Sequence, residues 1–185
     1  MSTFYLDMDG VVADWDTAAE EFLGVPFRSK PLYGEYRVSD IEWDRLRSEH
    51  RFYRNLPLMK DCEVLVDLAR QYRDRLGWQL LFLTAVPHND DVPWAYSDKV
   101  LWAQERFPDI AVHFGPHSTD KWRHCQQGDI LVDDRGDNCA SWRGAGGLAF
   151  KVSDRDLAPT IELVRADLAR RLSLLNLRGL SLGIY

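Results

Sequence analysis

Five short runs of this chain are apolar almost without interruption: Phe4 to Asp7, Gln79 to Thr84, Ala111 to Phe114, Ile130 to Asp133 and Leu148 to Val152. That is the pattern of strands buried on both faces rather than strands alternating between core and water. Helical patterns lie between the runs. Ser97 is placed to cap a helix carrying Val100, Leu101, Ala103 and Phe107, closed by Pro108. Asn138 stands in the same way before CASWRGAGG, and Asp156 before LAPTIELVRADLARRLSLL. Strand and helix alternate, so an α/β fold with a doubly wound parallel sheet is expected. In such sheets chemistry collects beyond the carboxyl ends of the strands, where Asp7, Thr84 and the pair Asp133–Asp134 fall.

The first connection breaks the pattern. About sixty residues separate Asp16 from Gly77, far more than one crossover helix needs, so they should hold structure of their own. Thr17 with Glu20, and Ser39 with Glu42, have capping-box spacing. Asp61 can begin a third helix with Val64, Leu65, Leu68, Ala69 and Tyr72 on one face, ended by Gly77. The expected division is a core of residues 1–15 and 78–185, with residues 16–77 as a mainly helical cap insertion. Its last helix leads back into the core. Phe22, Phe27, Tyr33, Tyr36, Trp43, Phe52 and Tyr53 surround the first two cap helices.

Composition narrows the partners. The 185 residues are 45% hydrophobic, enough for a sizeable core, and carry a formal charge of -6. No basic stripe is present to displace counterions from a nucleic acid polymer. No run approaches membrane-spanning length, and MSTFYLDMDG lacks the basic n-region of a signal peptide. Three widely spaced cysteines, Cys62, Cys125 and Cys139, fit a reducing compartment better than a disulfide framework. A cytoplasmic protein without a membrane partner is expected.

The chemistry gathers at YLDMDGVVADW, residues 5 to 15, where a strand ends in two carboxylates one residue apart. Like charges this close raise each other's pKa unless a cation sits between them. Asp7, Asp9 and one or both of Asp133 and Asp134 offer hard oxygen ligands, which suit Mg²⁺. Gly10 allows an abrupt turn as the chain leaves the strand. Thr84 offers a hydroxyl, and Ala85 with the amides that follow offers donors, to a phosphate oxygen. A lysine would neutralise charge as it shifts in the transition state. His113, His117, His124 and Cys125 have no spacing that argues for zinc.

With DMDGV at 7 to 11, LLFLTA at 80 to 85, a lysine, and ILVDDRGDN at 130 to 138 in order, the chain resembles the haloacid dehalogenase superfamily of phosphohydrolases. That resemblance implies that Asp7 is the nucleophile and that Asp9 protonates the leaving oxygen, then deprotonates the attacking water. It implies Mg²⁺ held by the Asp7 carboxylate, the Asp9 backbone carbonyl and Asp134, with Asp133 one step further out. DMDGVVADW, LVDDRGDN and the stretch TAVPHNDDVPWAYSDKVLWAQERFPD also resemble the 5′(3′)-deoxyribonucleotidases. By that likeness the catalytic lysine is Lys99, with Lys121 of STDKW the alternative, and Trp15 lies against a base. Phe52 and Tyr53 are further candidates for the base pocket.

Two departures stand out: Thr84-Ala85-Val86 replaces the family's Thr-Ser-Pro, and PHNDDVPW differs. The implied activity is Mg²⁺-dependent hydrolysis of a nucleoside monophosphate, with a deoxynucleotide favoured. A phosphatase for another small phosphate ester, or a silent phosphate-binding regulator, are the alternatives. The oligomeric state is open, a homodimer included. The apolar end RRLSLLNLRGLSLGIY can pack on the sheet or meet a partner.

Overall fold

The computed structural model describes residues 1–27, 38–87, 92–115 and 117–181. Tyr33, Tyr36, residues 88–91 and the last four residues lie outside them. The strands are β1 (Thr3–Leu6), β2 (Gln79–Thr84), β3 (Ala111–Phe114), β4 (Ile130–Asp133) and β5 (Leu148–Lys151). They form one sheet in the order β3-β2-β1-β4-β5, and every pairing is parallel. β1 and β4 are buried along their whole length. An apolar run there leaves no water-facing side, which is why the strands read as continuous rather than alternating. Order reverses at β1, so the ends of β1, β2 and β4 open on one crevice.

The helices are α1 (Trp15–Leu23), α2 (Asp40–Ser48), α3 (Cys62–Leu76), α4 (Trp94–Arg106), α5 (Gly136–Gly144) and α6 (Ala158–Ser181). α3 packs against α6, where Tyr72 donates its hydroxyl to Asp167 at 2.9 Å. Its inward face carries Val66, whereas Val64 is 43% exposed, so the apolar stripe differs by that residue from the expected one. Gly77 ends the helix at φ 69°, a conformation open to glycine at no steric cost.

Several expected caps fall elsewhere. The Ser39–Glu42 box forms. In α1 the cap is Asp14, which accepts from the Thr17 amide at 3.0 Å. Glu20 is engaged instead by the Phe27 amide at 2.7 Å and by Arg155 from the loop after β5. α4 begins three residues before Ser97, whose hydroxyl donates back to the Trp94 carbonyl. Asn138 lies inside α5 rather than at its cap, because its amide is drawn to Asp133. Asp156 does accept from the Ala158 amide at the start of α6.

Candidate active site

The turn after β1 builds the floor. The Met8 carbonyl accepts from the amides of Val11, Val12 and Ala13, winding residues 8–13 into a tight loop that carries Asp9 outward. Gly10 sits at φ +74°, and a Cβ there would lie 2.8 Å from the Asp134 carboxyl carbon. Glycine is thus required twice, by its backbone and by the carboxylate pressed against it.

Asp7 is buried, 5% exposed. One of its oxygens accepts from the Met8 amide at 2.7 Å, and the other faces the Lys121 ammonium at 2.7 Å. Lys121 also donates to Asp133 at 2.8 Å. Asp133 is fully buried and is held by the Arg135 amide and the Asn138 side chain as well. Lys99 makes a second pair: its ammonium lies 2.6 Å from Asp9 and 2.9 Å from the Thr84 hydroxyl. Both lysines are almost wholly buried. The two were rivals for one role in the sequence, but the fold gives each its own carboxylate. Lys121 takes Asp7, and Lys99 takes Asp9.

Burial pushes the Asp7 carboxyl up to about 7; Lys121 opposes the rise, while Asp133 and Asp9 add to it. Burial works against the Lys121 charge, yet Asp133 and Asp7 outweigh it and hold the ammonium above its ordinary range. Asp134 opens on the cavity, but that opening is a recess walled by protein. Poor solvation there, with the charges of Asp133 and Asp7, raises its carboxyl.

Oxygens of Asp7, Asp133 and Asp134 all come within 4.8 Å of one another. Asp9 adds a buried carboxylate oxygen without a hydrogen-bond partner. These four carboxylates meet two ammonium groups, an excess of two negative charges among oxygen donors alone. The set fits a small divalent cation such as Mg²⁺, which would also pull the Asp7 pKa back down.

A cavity of about 1460 Å³ opens above this floor. Asp7, Asp9, Ala85, Lys121 and Asp134 line it as a polar wall, and Trp15, Phe27, Trp43 and Tyr53 add aromatic lining. Trp15 packs 5.5 Å from Trp43 and 6.0 Å from Phe27, ring centre to ring centre. Phe52 does not face this cavity. It stands edge-on to Trp15 and lines a smaller recess with Phe22 and Pro57, so it supports the pocket from behind. Tyr53 takes the facing position. Thr84 and Lys99 also stand just behind the wall, reaching it through Asp9. Asn138 went unrecognised in the sequence because its spacing suited a helix cap equally well.

The class follows from topology and chemistry together. An all-parallel sheet that delivers Asp-x-Asp from its central strand and a second aspartate pair from the adjacent one places the chain in the haloacid dehalogenase superfamily. The family is narrower. The model for "5' nucleotidase, deoxy (Pyrimidine), cytosolic type C protein" matches residues 1–167, and the chain belongs to that family. No curated protein is a match for the chain.

Proposed function

We propose that this protein is a Mg²⁺-dependent phosphomonoesterase that hydrolyses a nucleoside monophosphate, a deoxynucleotide by preference, through an aspartyl phosphate. The observation that carries this reading is the buried Asp7–Lys121 pair on the wall of a cavity that is also lined by aromatic side chains. Asp7, the Asp9 backbone carbonyl and Asp134 would hold the metal. When bound, Mg²⁺ supplies charge neutralisation for the phosphoryl oxygens.

In the first half-reaction a carboxylate oxygen of Asp7 forms a bond to phosphorus as the ester oxygen leaves. Asp9 gives that oxygen a proton. In the second, Asp9 takes a proton from water, whose oxygen bonds to phosphorus while the bond to Asp7 breaks and inorganic phosphate departs. Lys121 stands beside the attacking carboxylate, and Lys99 fixes Asp9 in place. The Ala85 amide adds a donor to the phosphate pocket, and Thr84 holds Lys99 from behind it. Trp15 forms the base side, with Phe52 bracing it. The free cysteines suit a cytoplasmic setting, and no helix among the described residues is long and apolar enough to cross a membrane.

A phosphate-release screen over nucleoside monophosphates and sugar phosphates tests this reading directly. Activity should appear with Mg²⁺, vanish in EDTA and return when Mg²⁺ is restored. Full turnover in metal-free buffer would remove the metal from the scheme.

Trp15 tests the base. Stacking a base on an aromatic ring contributes about 1–3 kcal/mol. Trp15→Ala should therefore lower kcat/KM for nucleotides by roughly five- to a hundredfold. A small aryl phosphate that does not reach the aromatic lining should lose much less. Equal losses on both would reduce Trp15 to packing against Trp43 and Phe27.

A further inference from the structure

Asp98 has no part in the chemistry above, and its burial is hard to explain by stability. It is fully buried on α4, next to Lys99, and one of its oxygens has no hydrogen-bond partner. Its other oxygen receives Arg51 at 2.6 Å from a residue 47 positions earlier. Only Asp98 is buried in this pair, since the Arg51 side chain is 47% exposed. A carboxylate buried this fully with one oxygen unpartnered is costly to desolvate, so its persistence invites a functional account. Arg51 adds a second oddity, since its backbone lies at φ 70°, a left-handed conformation rare for a residue with a side chain. Strain of this kind survives where the surroundings over-determine it.

The surroundings do so here. The Arg51 carbonyl accepts from the amides of Arg54 and Asn55, which starts the short 3₁₀ turn Tyr53–Asn55. That turn is tied along one stripe of α4. Asp98 meets Arg51, the Trp102 indole donates to the Leu56 carbonyl at 2.7 Å, and Glu105 pairs with Arg54. Positions 98, 102 and 105 follow helical spacing, so a single face of α4 makes all three ties. Lys99, one residue from Asp98, reaches Asp9 and Thr84. Its ammonium lies 5.1 Å from the centre of the Tyr53 ring.

We propose that the Asp98–Arg51 ion pair is a positioning clamp that locks the segment carrying Tyr53 onto the helix carrying Lys99, so that seating this segment places the Lys99 ammonium on Asp9. Asp98 and Arg51 are then positioning residues, acting through Lys99 and Tyr53. The clamp deepens the proposed function and, in its kinetic effect, rests on the reading of Asp9 as the proton carrier.

Two measurements on the full-length protein test the clamp. The first is kinetic, with a nucleoside monophosphate and a small aryl phosphate in Mg²⁺, well below each variant's melting temperature. Asp98→Asn and Arg51→Ala should each lower kcat on both substrates by roughly 10- to 100-fold while KM moves by less than about threefold, the pattern of a misplaced catalytic group. Arg51→Lys should recover most of the loss. The double variant should be no worse than either single one, because both remove the same contact. A lowered melting temperature with kcat unchanged, or losses that multiply in the double variant, would overturn the clamp.

The second measurement needs no activity. Lysines are labelled with an amine-reactive reagent and mapped by mass spectrometry. Lys99 should be protected in the parent protein and label at least about tenfold faster in Asp98→Asn and Arg51→Ala. Lys121, equally buried on a different element, should stay protected and so report that the fold is intact. Labelling of Lys99 that does not change, or that rises only in step with Lys121, would also overturn the clamp. If the parent protein hydrolysed no phosphate ester, the function reading would fall, and this labelling would still decide the clamp.

Discussion

Asp7→Asn should abolish turnover, with a loss of about 10⁴-fold or more, and leave no covalent phospho-enzyme to trap. The amide removes the attacking charge while keeping the side chain's size. The geometry implies a second effect. Lys121 would face only Asp133 across its remaining contact, so the protein should fold and keep Lys121 charged. Asp9→Asn is the companion measurement. It leaves the nucleophile in place and impairs proton transfer, a step typically contributing about 10²- to 10⁴-fold. Acid-quenched samples with labelled substrate should therefore show phospho-enzyme for Asp9→Asn and none for Asp7→Asn. A trapped phosphate on the Asp7→Asn protein would reverse the two assignments.

Lys121→Ala should be the most damaging lysine substitution, in stability as well as turnover. Removing one partner of a buried ion pair typically costs about 3–5 kcal/mol because a charge is left uncompensated. Here the loss would strand Asp7 and Asp133 together, both nearly inaccessible to water. Urea unfolding at neutral pH, where the carboxylates are ionised in the unfolded chain, should show that loss. Activity should fall with it, since Asp7 loses the cation beside its attacking oxygen. Lys99→Ala should also lower turnover, through Asp9. Its stability effect should be smaller because Asp9 is one-third exposed and can be resolvated. The resemblance to the deoxyribonucleotidases favoured Lys99 as the essential lysine, with Lys121 the alternative. Retained activity in Lys121→Ala with Lys99→Ala inactive would restore that ranking.

The rival lysines show where sequence reasoning stopped. Lys121 lies in a 3₁₀ segment, Ser118–His124, that has no amphipathic signature to reveal an inward face. Nothing in STDKW says that its lysine turns in to meet a carboxylate 114 residues away in the chain. α4 repeats the lesson. A start at Ser97 would have put Asp98 and Lys99 in an exposed first turn, but the helix begins at Trp94 and buries both. Charged residues normally mark the wet face of a helix, and only distant partners overturn that rule. Arg51, Asp9 and Thr84 are those partners, and none lies within one helical turn. Phe52 and Tyr53 make the same point on a smaller scale. They are adjacent, aromatic and buried, yet only Tyr53 faces the cavity, a matter settled by how the 3₁₀ turn is seated on α4.

What the sequence determined by itself was local in cause. Runs of apolar residues specified the parallel strands, but the burial expected of all five is complete only at β1 and β4, because β3 lies at the sheet's edge and is partly open to water. The acidic residues at their ends then had to share one crevice, because parallel strands point their carboxyl ends the same way. Gly10 was legible as a turn for the same reason, a backbone angle that side chains resist. The tertiary structure alone decided which lysine serves which carboxylate, which aromatic faces the cavity and which buried charge is clamped. Each of those depends on contacts between segments tens of residues apart, and the energy of a buried charge is set by the partner it meets, not by its neighbours in the chain.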